Sequence, residues 1–232
     1  MRTLGLIGGT TWHSTLEYYR GINAQVAARR GELSSAELLL YSVDFAAFQP
    51  ATDPAGWERI ARGFADIARR LEHAGAKCIV LCANTAHIVA DSVQASVAVP
   101  LLHIADATAE AVAAAGLSRV GLLGTRPTME HTFFSSRLAK RGIATLVPDE
   151  AERAYIHASI LGELGRGVFT PETRARYLAI GDRLAGRGAQ GIILGCTEIP
   201  MLLTGTACPW PTIDTMEHHV RAAVAFALGE ST

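Results

Sequence analysis

Residues 79–87 read Ile-Val-Leu-Cys-Ala-Asn-Thr-Ala-His, and residues 192–200 read Ile-Ile-Leu-Gly-Cys-Thr-Glu-Ile-Pro. Each is an apolar run that stops at a cysteine followed closely by threonine. Short apolar runs bounded by small polar residues mark fully buried strands. A second pair of like segments lies upstream, Gly5-Leu6-Ile7-Gly8-Gly9-Thr10 and Gly121-Leu122-Leu123-Gly124-Thr125. Gly5 is about as far from Gly121 as Cys82 is from Cys196, so the chain repeats itself once. Two halves that each deliver a cysteine from the same kind of strand end predict two thiols, Cys82 and Cys196, facing one pocket. Such a pair suits proton removal on one face of a substrate and proton return on the other.

Strand and helix patterns alternate around these segments. A strand over 4–7 leads into a helix with Leu16, Tyr19, Ile22 and Val26 on one side. Ser14 and Glu17 have capping-box spacing, which predicts that this helix starts at Ser14. A strand over 38–43, an amphipathic helix over 57–73, a strand over 77–81 and a helix over 84–95 complete the first half. The second half predicts helices over 105–115 and 129–141, and strands over 119–123 and 143–147. A helix capped by Thr170-Pro171 runs to Leu184, a strand covers 190–194, and a last helix spans 216–228. Strands alternating with helices predict an α/β fold of two pseudo-symmetric domains, each a parallel sheet flanked by helices. The expected division is 1–100 plus 209–232 for the first domain and 101–208 for the second. Ligands in such folds bind beyond the carboxyl ends of the strands, where the loops at Gly8, Cys82, Gly124 and Cys196 fall.

The chain has 232 residues and a net charge of −1, with acidic and basic residues mixed throughout. No basic stripe points to nucleic acid. No apolar run approaches the roughly 20 residues that span a bilayer, and no signal-peptide core follows Met1. The expectation is a soluble cytoplasmic protein with no membrane partner. Among the four cysteines, Cys78, Cys82, Cys196 and Cys208, no C-x-x-C pair occurs, which leaves a zinc ribbon or thioredoxin-like site unsupported. No metal is expected. The only lysines are Lys77 at a strand start and Lys140 at a helix end. A pyridoxal enzyme needs a lysine for its Schiff base, so that cofactor is not expected.

A lone cysteine in an apolar strand is ordinarily packing, and Cys78 fits that reading. Cys82 and Cys196 differ because each ends its strand beside small polar residues and a helix start, whose free N–H groups favour a thiolate. Asn84-Thr85 and Thr197-Glu198 stand where helix caps stand, and the same place suits a substrate carboxylate. Glu198 could orient or assist the Cys196 thiol, or be a solvated helix-start carboxylate. His87, five residues past Cys82, and His219, five past Asp214, are possible supporting acid–base groups. The glycine loops lack a G-x-G-x-x-G pattern and a P-loop lysine. As repeated turns beside the cysteines, they are expected to line the pocket.

With these residues the chain resembles the aspartate/glutamate racemase superfamily. The resemblance is carried by Gly8-Gly9-Thr10-Thr11-Trp12-His13-Ser14-Thr15, Cys82-Ala83-Asn84-Thr85-Ala86-His87 and Gly195-Cys196-Thr197-Glu198-Ile199. Glu17-Tyr18-Tyr19-Arg20, Ser42-Val43-Asp44-Phe45 and Asp214-Thr215 followed by His219 are similar to the broad-specificity amino-acid racemase branch. The resemblance implies a cofactor-independent racemase or epimerase with its active site in the interdomain cleft, commonly a homodimer. Cys82 and Cys196 would exchange the Cα proton, while Asn84, Thr85, Thr125 and Thr197 would hold the carboxylate. The alternatives are another isomerase or a decarboxylase of a small carboxylic acid, or a carboxylate-binding protein without catalysis.

Thr10 and His13 stand where the family's first loop usually has methionine and an acid. Thr10, Trp12, His13 and the segment 44–48 are expected to line the side-chain pocket. No arginine occurs in that segment, and no lysine stands near Arg166. A neutral or larger amino acid is therefore expected to be a better substrate than aspartate.

Overall fold

The computed structural model describes residues 1–44, 46 and 53–230. The chain divides into two compact units. The first comprises Met1–Ile104 and His219–Thr232, and the second Ala105–His218.

In the first unit four parallel strands form one sheet: β1 (Leu4–Gly8), β2 (Leu38–Ser42), β3 (Cys78–Leu81) and β4 (Leu101–Leu102). Their order is β2-β1-β3-β4. In the second unit β5 (Arg119–Gly124), β6 (Ala144–Leu146), β7 (Ile192–Gly195) and β8 (Thr212–Asp214) are also all parallel. Their order is β6-β5-β7-β8, the same arrangement repeated. The predicted duplication is therefore real in three dimensions, and each cysteine motif follows the third strand of its sheet.

Parallel pairing demands crossover helices, which bury one sheet face each. Helix α1 (Trp12–Arg30) connects β1 to β2, and α2 (Pro54–His73) connects β2 to β3. Phe64, Ile67 and Leu71 of α2 pack with Ile79 and Leu81 of β3 in one apolar core. Burying a side chain such as Phe64 contributes about 1.5–3 kcal/mol. Helix α3 (Ala90–Gln94) leads toward β4. The second core gathers Ile156 and Ile160 of α7 (Glu150–Gly162), Tyr177, Ile180 and Leu184 of α8 (Pro171–Gly186), and Trp210. The Trp210 ring occupies the space above Gly181, where a Cβ would come within 2.1 Å of it. Its indole N–H donates to Asp182 Oδ1 at 3.1 Å.

Several sequence expectations change at this level. Helix α1 starts at Trp12, because Thr11 is its cap and accepts from the Ser14 N–H at 3.3 Å. Ser14 is buried and turned inward instead. The helix expected over 84–95 is a 3-10 turn, Thr85–Val89, followed by α3. The helix expected over 129–141 is two: α5 (Arg126–Glu130) and α6 (Thr132–Ala139), separated by the extended residue His131. Helix α4 (Ile104–Ala114) begins where the two units divide. Residues 101–104 belong to the first unit, since β4 pairs with β3. Residues 209–218 belong to the second, since β8 extends its sheet from β7. Both placements move the expected domain boundaries. Helix α7 had no counterpart in the sequence reading. The last helix, α10 (Thr215–Leu228), carries the chain back into the first unit at His219.

Candidate active site

Cys82 is the first residue past β3. Its N–H continues the ladder, donating to Ile7 O at 2.9 Å. Its carbonyl accepts from Ser14 Oγ at 2.6 Å. The sulfur is fully buried and faces the Val80 carbonyl at 4.0 Å. Burial disfavours the charged form, so the thiol is pushed well up from its ordinary range.

The loop beyond Cys82 is tied to buried histidines. His87 Nδ1 lies 2.9 Å from the Ala83 carbonyl, and the Ile104 N–H donates to His87 Nε2 at 3.2 Å. A carbonyl can only accept, so the partners assign the proton to Nδ1. His219 is the opposite tautomer. Its Nε2 donates to Leu102 O at 2.8 Å, so its Nδ1 accepts from the Tyr18 hydroxyl, also at 2.8 Å. Burial lowers His87 to about 3, with His219 adding to the effect, and lowers His219 to about 4. Both rings are neutral at physiological pH. Their centroids lie 5.3 Å apart, and His103 is 4.7 Å from His87. His87 and His219 are therefore bonded into the interior of the first unit.

Cys196 stands one residue past the end of β7 and just ahead of α9 (Glu198–Leu203). It is partly exposed. Its thiol donates to Glu198 Oε2 at 2.8 Å, and the Thr197 hydroxyl donates to the same oxygen at 2.7 Å. Glu198 is itself buried. Desolvation first, then the adjacent carboxylate, hold the Cys196 thiol well above its ordinary range. The Thr215 hydroxyl, also buried, donates to Leu194 O at 3.0 Å, bracing the end of β7.

The glycine loops owe their composition to packing. Gly9 has φ +87°, and a Cβ there would meet the Val43 carbonyl at 2.2 Å. At Gly124, which pairs with Gly195, a Cβ would meet Gly195 O at 2.9 Å. Beside Gly9, the Thr10 hydroxyl is buried with no hydrogen-bond partner among the described residues. Trp12 is 63% exposed and lies against His13, ring centroids 3.7 Å apart.

Thr125 is a helix cap, accepting from the Thr128 N–H at 3.4 Å. Asn84 is buried and Thr85 half-buried, and Asn84 makes no side-chain cap bond. Asp44 is exposed and accepts from the Ala46 N–H at 3.0 Å. Phe45, Ala47 and Phe48 lie outside the described residues. Arg126 and Arg166 are exposed. Among the described residues no group of three or more His, Cys, Asp or Glu is arranged to hold a metal ion. No helix there is long and apolar enough to cross a membrane. The capping pattern spent the Ser14 side chain on a helix start and gave no sign of its bond to the Cys82 carbonyl.

The profile of the Asp/Glu/hydantoin racemase family matches residues 7–223, almost the whole chain. The chain belongs to this family. A candidate Asp/Glu racemase from Yersinia pestis has 44% sequence identity to it. That alignment covers 98% of this chain and 100% of that one, with a TM-score of 0.92. An aspartate racemase homologue from Pyrococcus horikoshii OT3 is 34% identical over 98% of this chain and 100% of that chain, with a TM-score of 0.84. The broad-specificity amino-acid racemase RacX of Bacillus subtilis is 25% identical over 165 residues, 71% of each chain. The two-sheet α/β architecture of this racemase family is thus the architecture of this chain.

Proposed function

We propose that this protein is an amino-acid racemase that uses Cys82 and Cys196 as the two proton carriers at Cα. The observation that carries the reading is the repeated sheet, whose third strand in each unit is followed by a cysteine. Family membership supplies the reaction class.

Both thiols are protonated at rest, because burial disfavours their charge. Glu198 is the group beside Cys196 that can take its proton. The thiolate so formed removes the Cα proton, and the electron pair of the broken C–H bond remains on the substrate carbon. The Cys82 thiol then delivers its proton to the opposite face, becoming the thiolate. The reverse reaction starts from that Cys82 thiolate; a further forward turnover first requires Cys82 to regain a proton and Glu198 to release the one it took. A carbanion-like state requires preorganised donors around the carboxylate. Asn84, Thr85 and Thr125 are the proposed groups, and the unpartnered Thr10 hydroxyl is a further donor in the first loop. Thr197 contributes through Glu198, to which its hydroxyl is bonded.

The proposed substrate is a neutral or larger amino acid. An unpaired buried carboxylate costs several kcal/mol, and the segment 42–48 supplies no cation. The test is incubation of single-enantiomer amino acids in D₂O, read by Cα-deuterium uptake and chiral chromatography. Racemisation with one deuteron gained per inversion is the expected result. Binding without exchange would overturn the reading. A preference for aspartate in kcat/KM, lost in Arg126→Ala or Arg166→Ala, would overturn the substrate class alone.

A further inference from the structure

Ser14 and His87 lie behind Cys82, and neither hydrogen-bonds its sulfur among the described residues. They hold its backbone instead. The Ser14 hydroxyl donates to the Cys82 carbonyl at 2.6 Å, and His87 Nδ1 donates to the Ala83 carbonyl at 2.9 Å. With the Cys82 N–H on Ile7 O, both backbone groups of Cys82 and the carbonyl of Ala83 are pinned. A trans peptide is planar, so a held carbonyl also aims the N–H on its far side. The Ile7 and Ser14 bonds hold the two planes that flank Cys82, and with them both its backbone dihedrals and the direction of its Cα–Cβ bond. The His87 bond holds the next plane, between Ala83 and Asn84, and so secures the turn that carries the chain off β3.

The sequence has arranged for both side chains to be available. Ser14 would ordinarily cap α1, but Thr11 takes that place and releases the Ser14 hydroxyl. His87 spends both ring nitrogens on backbone, since Ile104 N–H occupies Nε2. It has no lone pair left for a substrate proton. Its neutral state is the one this network requires, and burial lowers it to about 3.

We propose that Ser14 and His87 are positioning residues for the Cys82 half of the reaction: Ser14 sets the direction in which the thiol leaves β3 by holding the Cys82 carbonyl, and His87 secures the turn that follows by holding the Ala83 carbonyl. The inference rests on the two-thiol reading above. It assigns His87 a role distinct from acid–base catalysis. It also divides the labour unequally: Cys82 is aimed through its backbone, while Cys196 is governed by a carboxylate bonded to its sulfur.

The test uses the full chain and three variants. In His87→Asn the amide nitrogen lies near the place of Nδ1 and can still donate to Ala83 O. In His87→Gln the amide reaches toward the Nε2 position, and the Ala83 bond is lost. Ser14→Ala removes the other bond with little change of volume. The expected result is a fall in kcat of about 10²-fold for His87→Gln and Ser14→Ala, the usual consequence of misaiming a reacting group by about 1 Å. His87→Asn is expected to retain most of the activity, and KM to change little in all three.

A Cα-deuterated substrate of each hand gives the second readout. When Cys82 is misaimed, the step in which it acts as base becomes more rate-limiting. The isotope effect on kcat/KM should then rise for the enantiomer deprotonated by Cys82 and fall for the other, whose Cα–H cleavage by Cys196 becomes less rate-limiting than the slowed reprotonation. Equal losses in His87→Asn and His87→Gln, or isotope effects unchanged in both directions, would overturn the inference. Should the His87 variants fail to fold, the isotope asymmetry of Ser14→Ala decides alone. A wild-type protein that exchanges no Cα proton would remove the two-thiol reading and this inference with it. An active wild type with symmetric variants removes only the inference.

Discussion

The loops after β3 and β7 occupy the same place in duplicate sheets, yet they present their cysteines differently. In the first sheet Gly5 pairs with Ile79, and Cys82 is the third residue after that partner. In the second, Gly121 pairs with Ile192, and Cys196 is the fourth. The extra residue is Gly195, which still pairs within β7. Side chains alternate along a strand, so one added residue changes the parity. Cys82 shares its parity with Val80, and Cys196 with Ile192 and Leu194. The first thiol is sealed and faces the Val80 carbonyl; the second is partly exposed and bonded to a carboxylate. The fold decides where a thiol stands, and a single residue of register decides what it meets.

The largest effect should come from removing either thiol. Cys82→Ser and Cys196→Ser are each expected to lower racemisation by about 10³-fold or more, since each direction uses both groups. Cys78→Ser and Cys208→Ser should retain activity in the same chiral assay. Full activity in Cys82→Ser would erase the comparison altogether.

Glu198→Gln probes the asymmetry itself. It removes the charge that raises the Cys196 thiol, so Cys196 should alkylate faster at mildly alkaline pH while Cys82 does not change. Site-resolved mass spectrometry after iodoacetamide treatment reads both rates. Loss of the proton acceptor should at the same time lower kcat by about 10²-fold. Unchanged labelling of Cys196 would show that the carboxylate does not control it.

A smaller difference lies in the response to acid. His87 and His219 sit far below their ordinary value of 6.5 in the folded first unit. The unfolded chain therefore binds protons that the folded one refuses. Stability from these groups is complete above about pH 6.5 and is lost as pH falls toward 4. The slope is about 1.4 kcal/mol per pH unit for each histidine. In the second unit His131 is exposed and His157 and His218 are half-buried; partial burial and the Arg126 charge lower His157 as well, so the contrast rests on the two fully buried rings of the first unit. Hydrogen exchange measured by mass spectrometry and corrected for intrinsic rates should show the first unit opening first below pH 6. Simultaneous opening of both units would contradict this account.

The duplicated topology was legible because apolar runs and glycine turns repeat in register. The two cysteines stood out as candidates because packing alone does not ask a strand to end on Cys beside small polar residues. Ser14 was misread because Thr11 offers the same capping chemistry three residues earlier, and spacing alone cannot choose between them. Helix α7 escaped although Asp149 and Glu152 form a full capping box. Strand β4 has only two residues, too short for any periodicity. The bond of His219 to Leu102 joins positions far apart in the chain, a contact no local pattern encodes. Glu198 was readable as a neighbour of Cys196, but its burial, which gives it leverage over the thiol, comes from the packing of α9.

A sulfur that is sealed and protonated at rest has a consequence for survival under oxidative stress. Peroxide attacks thiolates, and attack scales with access. Cys82 offers neither charge nor surface, so the idle enzyme should keep this sulfur reduced where exposed thiols are lost. Of the two motif sulfurs, Cys196, which has some exposure, should be damaged before Cys82, and damage at either should quicken when turnover calls the charge into being.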